Sequence, residues 1–275
     1  MSVALILLAL SPVFLFFVLY EWWKSYRQGA NWYQWRDTVA NATLALMHQL
    51  GEVLALALLL PLFWWLHQHR LFDIALTWYS LIAAFILQDF LYYWFHRASH
   101  SIRWLWASHI VHHSSRQLNF STAFRQSVMY PVSGMWLFWT PMMVIGFSPV
   151  LVLSVVSLNL AFQFFVHTQW VRRLGVLEYV FNTPSHHRVH HACNSRYIDK
   201  NYAGVLIIWD HWFGTFEAEQ VDEPCRYGIT TDFASNNPLL ITFHEWYLLA
   251  CDFLHQPGVL KKIQLLVSAP KKKSV

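Results

Sequence analysis

Charge is scarce in this sequence of 275 residues: Asp, Glu, Lys and Arg together make up 12%, about half of what a soluble globular domain carries. So little charge cannot cover a water-facing surface. Cysteine is scarcer still. Cys193, Cys225 and Cys251 are odd in number and show no CxxC spacing, which excludes a disulfide scaffold. No GxGxxG occurs among the 9 glycines, so no dinucleotide loop is expected and any electron donor should be a separate molecule. The net charge of +4 is small and scattered, which argues against nucleic acid and suits an anionic membrane surface. What is abundant is apolar: 56% of residues are hydrophobic and 18% aromatic, which excludes disorder. No shift in composition divides the chain, so residues 1–275 read as a single membrane-embedded domain.

Apolar runs at 3–20, 74–95, 128–147 and 149–166 each match the roughly 17–25 residues a helix needs to cross hydrocarbon. A fifth run, 43–66, is long enough but contains His48, Gln49 and Glu52. His48 and Glu52 are four apart and are expected to satisfy each other against neighbouring helices, ahead of lining a substrate channel. Gly146-Phe147-Ser148-Pro149 marks a turn between the last two runs. Lys24, Arg27 and Arg36 follow the first run, and Arg97, Arg103, Arg116 and Arg125 follow the third; five lysines close the chain, whereas 67–73 holds Arg70 alone. The positive-inside rule then puts the N-terminus outside and the regions after the first and third runs in the cytosol, a pattern that five crossings satisfy. The stretch 239–254, LLITFHEWYLLACDFL, reads as an interfacial helix. The expected fold is an all-α integral membrane protein: about four to five transmembrane helices and a cytosolic, histidine-rich helical cap at 96–127 and 167–238.

Histidine is the second anomaly, with 16 against 15 Asp plus Glu. WFHRASH holds His96 and His100 four apart, and HIVHH holds His109, His112 and His113 at i, i+3, i+4. His167 follows the last apolar run. NTPSHHRVHHACN then holds His187, His190 and His191 at the same spacing, with His186 beside them. On a helix such positions share a face, about 5–6 Å apart at Cβ, so each cluster can aim several imidazoles at one point. These ten exceed what one metal accepts, and two metals is the natural count. His48, His67, His69, His211, His244 and His255 stand alone and read as structural or surface residues.

Imidazole suits zinc, copper, nickel and iron, so ligand type leaves the metal open. No HExxH occurs, because Leu248 stands where His244-Glu245 would need a second histidine, and no Glu-x-x-His of the ferritin-like di-iron type is present. Neutral ligands leave metal charge uncompensated, which favours a high-potential centre able to attack strong C–H bonds. A metal transporter would need polar residues along several crossings, and only His48 and Glu52 offer them. A haem electron carrier would need paired histidines within the spans.

The segments DFLYYWFHRASH, HIVHH, NTPSHHRVHHACN and NYAGVLIIWDHWFGTFEAE resemble the fatty acid hydroxylase/sterol desaturase superfamily over about residues 30–235. The resemblance implies a non-haem centre of two iron ions, O2 as co-substrate, and an external electron donor, either a tetrahydropterin or a separate redox protein. It also implies an alkyl-ether, fatty acyl or sterol-like lipid that is hydroxylated, with desaturation as the alternative outcome. The superfamily's histidine boxes fall at His96/His100, His109/His112/His113 and His187/His190/His191, and a further HxxxH falls at Gln163 and His167. Asp89 lies two helical turns before His96 and is expected to hold a ligand imidazole by its second N–H. Asn182, Asn201 and Asp210 match polar positions of the same pattern and are candidates for that task. Trp94, Trp104, Trp106 and Phe124 could line a lipid-tail channel. The ending KKSV matches a dilysine retrieval signal of the endoplasmic reticulum, but a bacterial inner-membrane protein with a short basic tail is slightly preferred.

Overall fold

The computed structural model describes residues 3–231 and 233–271, and side chains from Ser11 onward. The KKSV ending, at 272–275, lies outside the described residues. Eleven α-helices and three 3-10 turns make up the described chain, with two isolated bridges and no strand. Four long helices form the body: α1 (Val3–Gln28), α2 (Trp35–Gln68), α3 (Trp78–Ser101) and, further along the chain, α7 (Pro149–Val166). Between α3 and α7 come α4 (Arg103–His113), α5 (Tyr130–Ser133) and α6 (Thr140–Ile145). Then follow α8 (Pro184–His191), α9 (Ile208–Phe213), α10 (Pro238–His255) and α11 (Val259–Val267).

Among the described residues, two helices, α2 and α7, are long and apolar enough to cross a membrane. At 1.5 Å per residue α2 is about 50 Å long, more than the roughly 30 Å hydrocarbon core. Its first turns pack against residues 115–125, where Asp37 and Asn41 are buried and bond Ser115, Ser121 and Arg125, while Leu46, Leu50 and Leu58 further along are exposed. An apolar surface of that kind suits lipid rather than water. The helix expected at 43–66 thus starts earlier, at Trp35. The apolar stretch 239–254 is helical as α10.

The run 128–147, expected as one membrane helix, is instead broken. It divides into α5, a 3-10 turn at Met135–Trp139, and α6. The break is at Gly134, whose φ of 83° is left-handed, a conformation that ends a helix and that glycine adopts without penalty. The three pieces pack Tyr130, Trp139, Met142 and Met143 into one apolar core with Phe63 of α2, Phe95 of α3 and Val152 of α7. The run is apolar because it is core.

Two buried arginines tie elements that are distant in sequence. Arg125 is fully buried and donates to Asp37 (3.2 Å) and Asn41 (2.8 Å). Arg103 is equally buried against Asp252 of α10, at 2.6 Å. Both arginines counted toward orientation, yet both neutralise carboxylates inside the fold. The expected His48–Glu52 pair does not form: His48 Nδ1 instead meets the Ser127 carbonyl at 3.0 Å, and its ring packs edge-on against Tyr130. Removing that half-buried donor leaves the Ser127 carbonyl only its long bond from Tyr130 N at 3.4 Å, and losing a hydrogen bond of this kind costs about 1 kcal/mol. His48→Ala should therefore lower the thermal midpoint by a few degrees and reduce activity only in step with the folded fraction. Activity lost at unchanged thermal stability would mean that His48 acts on substrate.

Candidate metal centre

Nine of the ten predicted histidines converge, in two adjoining groups. The first comprises His96, His100, His109, His113 and His190; the second comprises His112, His167, His187 and His191. All nine are buried, and within each group one nitrogen from every ring lies within 4.8 Å of the others. The groups touch through His113 and His191, whose rings stack at 4.5 Å. Helical spacing explains the division. In α4 the i, i+4 pair His109/His113 faces the first group, while His112, rotated away, faces the second. In α8 the roles exchange: His187/His191 serve the second group and His190 the first. Each HxxHH motif thus serves both groups.

Protonation decides what these rings can bind. His96 Nδ1 donates to the Tyr202 carbonyl (2.8 Å), His112 Nδ1 to Arg125 (3.2 Å), His167 Nδ1 to Gln163 (2.6 Å) and His190 Nδ1 to Lys200 (2.9 Å). A neutral ring has one N–H, so each of these Nε2 atoms is a bare lone pair. His167 Nε2 and His112 Nε2 nevertheless face each other at 3.1 Å, with no proton to share. Burial first, then mutual repulsion, holds His109, His113, His187, His190 and His191 well below the usual histidine range, and burial brings His167 down to about 4. These rings are therefore neutral at pH 7. Converging lone pairs in a water-poor interior are the donor set a divalent cation requires. Neither group includes a cysteine or carboxylate among the described residues.

The tenth histidine, His186, stands apart. It follows Ser185 on α8 and points about a quarter turn away from His187; its Nε2 lies 4.0 Å from Glu178 and its ring packs on Phe216. Gln163 also stays out of both groups, because its amide accepts from Tyr92 and donates to Asn159. Of the aromatic candidates, Trp106 packs on His100 (5.2 Å) and His113 (5.9 Å). Trp94 packs on Phe213, Trp104 on Trp246, and Phe124 on Phe14 and Phe164.

Asp89 was the expected partner of a ligand imidazole and Asn182, Asn201 and Asp210 the further candidates, but none has an imidazole among its hydrogen-bond partners. All four hold backbone. Asp89 accepts from Val205 N (2.8 Å), Leu206 N (3.0 Å), Trp209 Nε1 (2.9 Å) and Asn159 Nδ2 (2.8 Å). Asp210 accepts from Tyr202 N and Ala203 N, both at 2.8 Å, and Asn182 donates to the Ala203 carbonyl at 2.8 Å. Asn201 donates to the carbonyls of His186 and Glu217. Gly204 lets this segment approach: a Cβ there would lie 2.7 Å from Asn159 and 2.9 Å from Asp89. Sequence reasoning missed Tyr130, whose hydroxyl lies 3.0 Å from His109 Nδ1, and the backbone carbonyls of Lys200 and Tyr202. A carbonyl leaves no mark on residue identity, so no pattern could have found the last two.

Residues 81–215, which contain every one of these groups, match the family model for fatty acid hydroxylase. This stretch is a fatty acid hydroxylase domain. Alkylglycerol monooxygenase of Homo sapiens is 45% identical to it over 207 residues, covering 74% of this chain and 45% of that protein. The Danio rerio protein of the same name is 39% identical over 240 residues, covering 85% and 52%. An ornithine lipid hydroxylase of Rhizobium tropici is 26% identical over 152 residues, covering 55% and 46%. The chain spans about half the length of the curated relatives it matches. No solved structure matches it. The named relatives are mostly eukaryotic, so they lend nothing to a bacterial inner membrane over the endoplasmic reticulum.

Two outcomes follow from this geometry. Both oxygens of Asp89 accept two hydrogen bonds, so Asp89→Asn would turn an NH2 toward two donors and orphan them. We expect a loss of about 2 kcal/mol or more together with weakened metal retention, read by thermal melting and metal analysis; wild-type values for both would contradict the assignment. The second outcome is a pH dependence. Native histidines held neutral cannot take up the protons that the unfolded chain binds below about pH 6.5, so stability of the metal-stripped protein is intact above that pH. It falls as pH drops toward the folded values, about 4 for His167. Each such histidine removes about 1.4 kcal/mol per pH unit in this window. A thermal midpoint that is flat between pH 7.5 and 5 would contradict the buried, neutral set.

Proposed function

We propose that this chain is a membrane-bound di-iron oxygenase that hydroxylates a lipid C–H bond. The observation that carries the reading is the pair of adjoining all-imidazole groups inside a fatty acid hydroxylase domain. When bound there, two irons would supply O2 activation and oxidation of an unactivated C–H bond, drawing electrons from an external donor. The donor would be a tetrahydropterin or a separate redox protein. His96, His100, His109, His113 and His190 would hold one metal, and His112, His167, His187 and His191 the other.

The protein's own part is positioning and exclusion. Carbonyls of Gln163, Arg125, Lys200 and Tyr202 fix four ring tautomers before any metal arrives, so binding requires no proton release from those rings. Burial of all nine rings keeps bulk water from the reacting centre. A cavity of about 40 Å³ lies against the first group, lined by His100, Trp106, His113, His190, Asp199 and Thr230 among others. Its size suits a molecule such as water or O2.

Hydroxylation is preferred to desaturation because the relatives are named monooxygenase and hydroxylase. The relatives' names favour an alkyl-ether or other polar lipid as substrate. A cytosolic metal side is favoured by Arg97 and Arg116 after the third run and by the basic residues after the first, with Arg103 and Arg125 set aside as partners of Asp252 and Asp37. Purified in detergent from iron-supplied cells, the protein should hold two irons per chain, with zinc able to replace them. It should form an oxygen-dependent lipid alcohol in membranes. His113→Ala and His190→Ala should each abolish product at matched expression, since ligands act as a unit, whereas His255→Ala on the exposed end of α10 should be close to silent. Wild-type turnover and full iron in the His113 and His190 variants would overturn the reading.

A further inference from the structure

Segment 199–202 does something unusual for four residues: it meets three of the five first-group rings. The Lys200 carbonyl accepts from His190 and the Tyr202 carbonyl from His96. Asp199 Oδ1 lies 3.4 Å from His100 Nδ1. Among the described residues, His100 is the one ring of the nine with a carboxylate within 4 Å. The backbone is bent for this purpose. Asp199 and Asn201 have φ of 61° and 56°, left-handed values that cost a non-glycine residue about 1–2 kcal/mol each. Such strain persists only where surrounding contacts over-determine it. Here Asn201 accepts from Glu217 N and donates back to the Glu217 carbonyl, its own N–H bonds Thr215 O, and Asp210 clamps Tyr202 N and Ala203 N.

We infer that Asp199 is a positioning residue for the first group alone. Its carboxylate accepts the Nδ1–H of His100, which leaves Nε2 as the lone pair aimed at the metal. A carboxylate also strengthens a ligand imidazole more than a carbonyl does, because the negative charge raises the ring's basicity. Among the described residues the second group has no counterpart: His112 and His167 rest on carbonyls. The two groups are therefore unequal, and Asp199 accounts for part of the difference. The inference rests on the metal reading of these histidines but not on lipid oxidation.

The test is a cobalt(II) titration of metal-stripped, detergent-purified protein, followed by the visible bands of the bound ion and by thermal melting. Asp199→Gly removes the carboxylate while keeping a backbone that favours positive φ, so the apo fold should be no less stable than wild type. Asp199→Asn keeps a neutral acceptor. In a His191→Ala background, which leaves only the first group complete, Asp199→Gly should weaken cobalt about 10–100-fold, with Asp199→Asn intermediate. In a His190→Ala background, which leaves only the second group complete, Asp199→Gly should change cobalt affinity less than twofold. Equal weakening in both backgrounds, or none in the first, would overturn the inference. Absence of cobalt binding in the unmodified protein would overturn the metal reading itself, whereas failure to oxidise lipid would count against the proposed function alone.

Discussion

Nine buried imidazoles packed around one small volume repel one another, and the rest of the fold exists in relation to that constraint. A lone pair facing another lone pair at about 3 Å is unfavourable in a low-dielectric interior, and protonation, the usual relief, is blocked by burial. A divalent cation in each group reverses the sign of every such contact. The chain must therefore hold the rings in place before the cation arrives, which is a folding problem before it is a catalytic one.

The solution uses backbone more than side chains. Rings of α3, α4, α8 and the end of α7 are oriented by carbonyls; Asp210 holds the N–H groups of 202 and 203 beside two of those carbonyls, and Asp89 holds those of 205 and 206 just beyond. Asp89 reaches this segment from α3 itself, so the helix that delivers His96 and His100 also fastens the loop that orients His96. Arg125 plays the matching part on the other side: its ion pair with Asp37 anchors the carbonyl that holds His112. Buried charges in this protein are thus paired or multiply hydrogen-bonded, as the cost of burying them demands.

The convergence of nine histidines was legible in the sequence because helical periodicity and the spacing of rings that meet at one point are the same. His109/His113 and His187/His191 are a turn apart, and a turn is what brings two rings to one point. His186 misled because adjacency in sequence is not adjacency on a helix. The apolar run at 128–147 misled for a different reason: hydropathy records that Tyr130, Trp139 and Met142 avoid water but not whether they meet lipid or other side chains. Only the left-handed turn at Gly134 separates the two cases, and one glycine among nine gives no such warning. Asp89 could be singled out as a carboxylate in need of partners, yet three of its four partners, N–H groups from 205–209, lie more than a hundred residues away, and the fourth, Asn159, lies 70 away. Arg125 looked like a topological charge and is a structural one.

The central claim is that two metals sit side by side, one in each group, and the most direct test is to see them. Anomalous diffraction from iron-loaded crystals should give two peaks: one among His96, His100, His109, His113 and His190, the other among His112, His167, His187 and His191. A single peak shared by both groups, or a peak at His186, would contradict it.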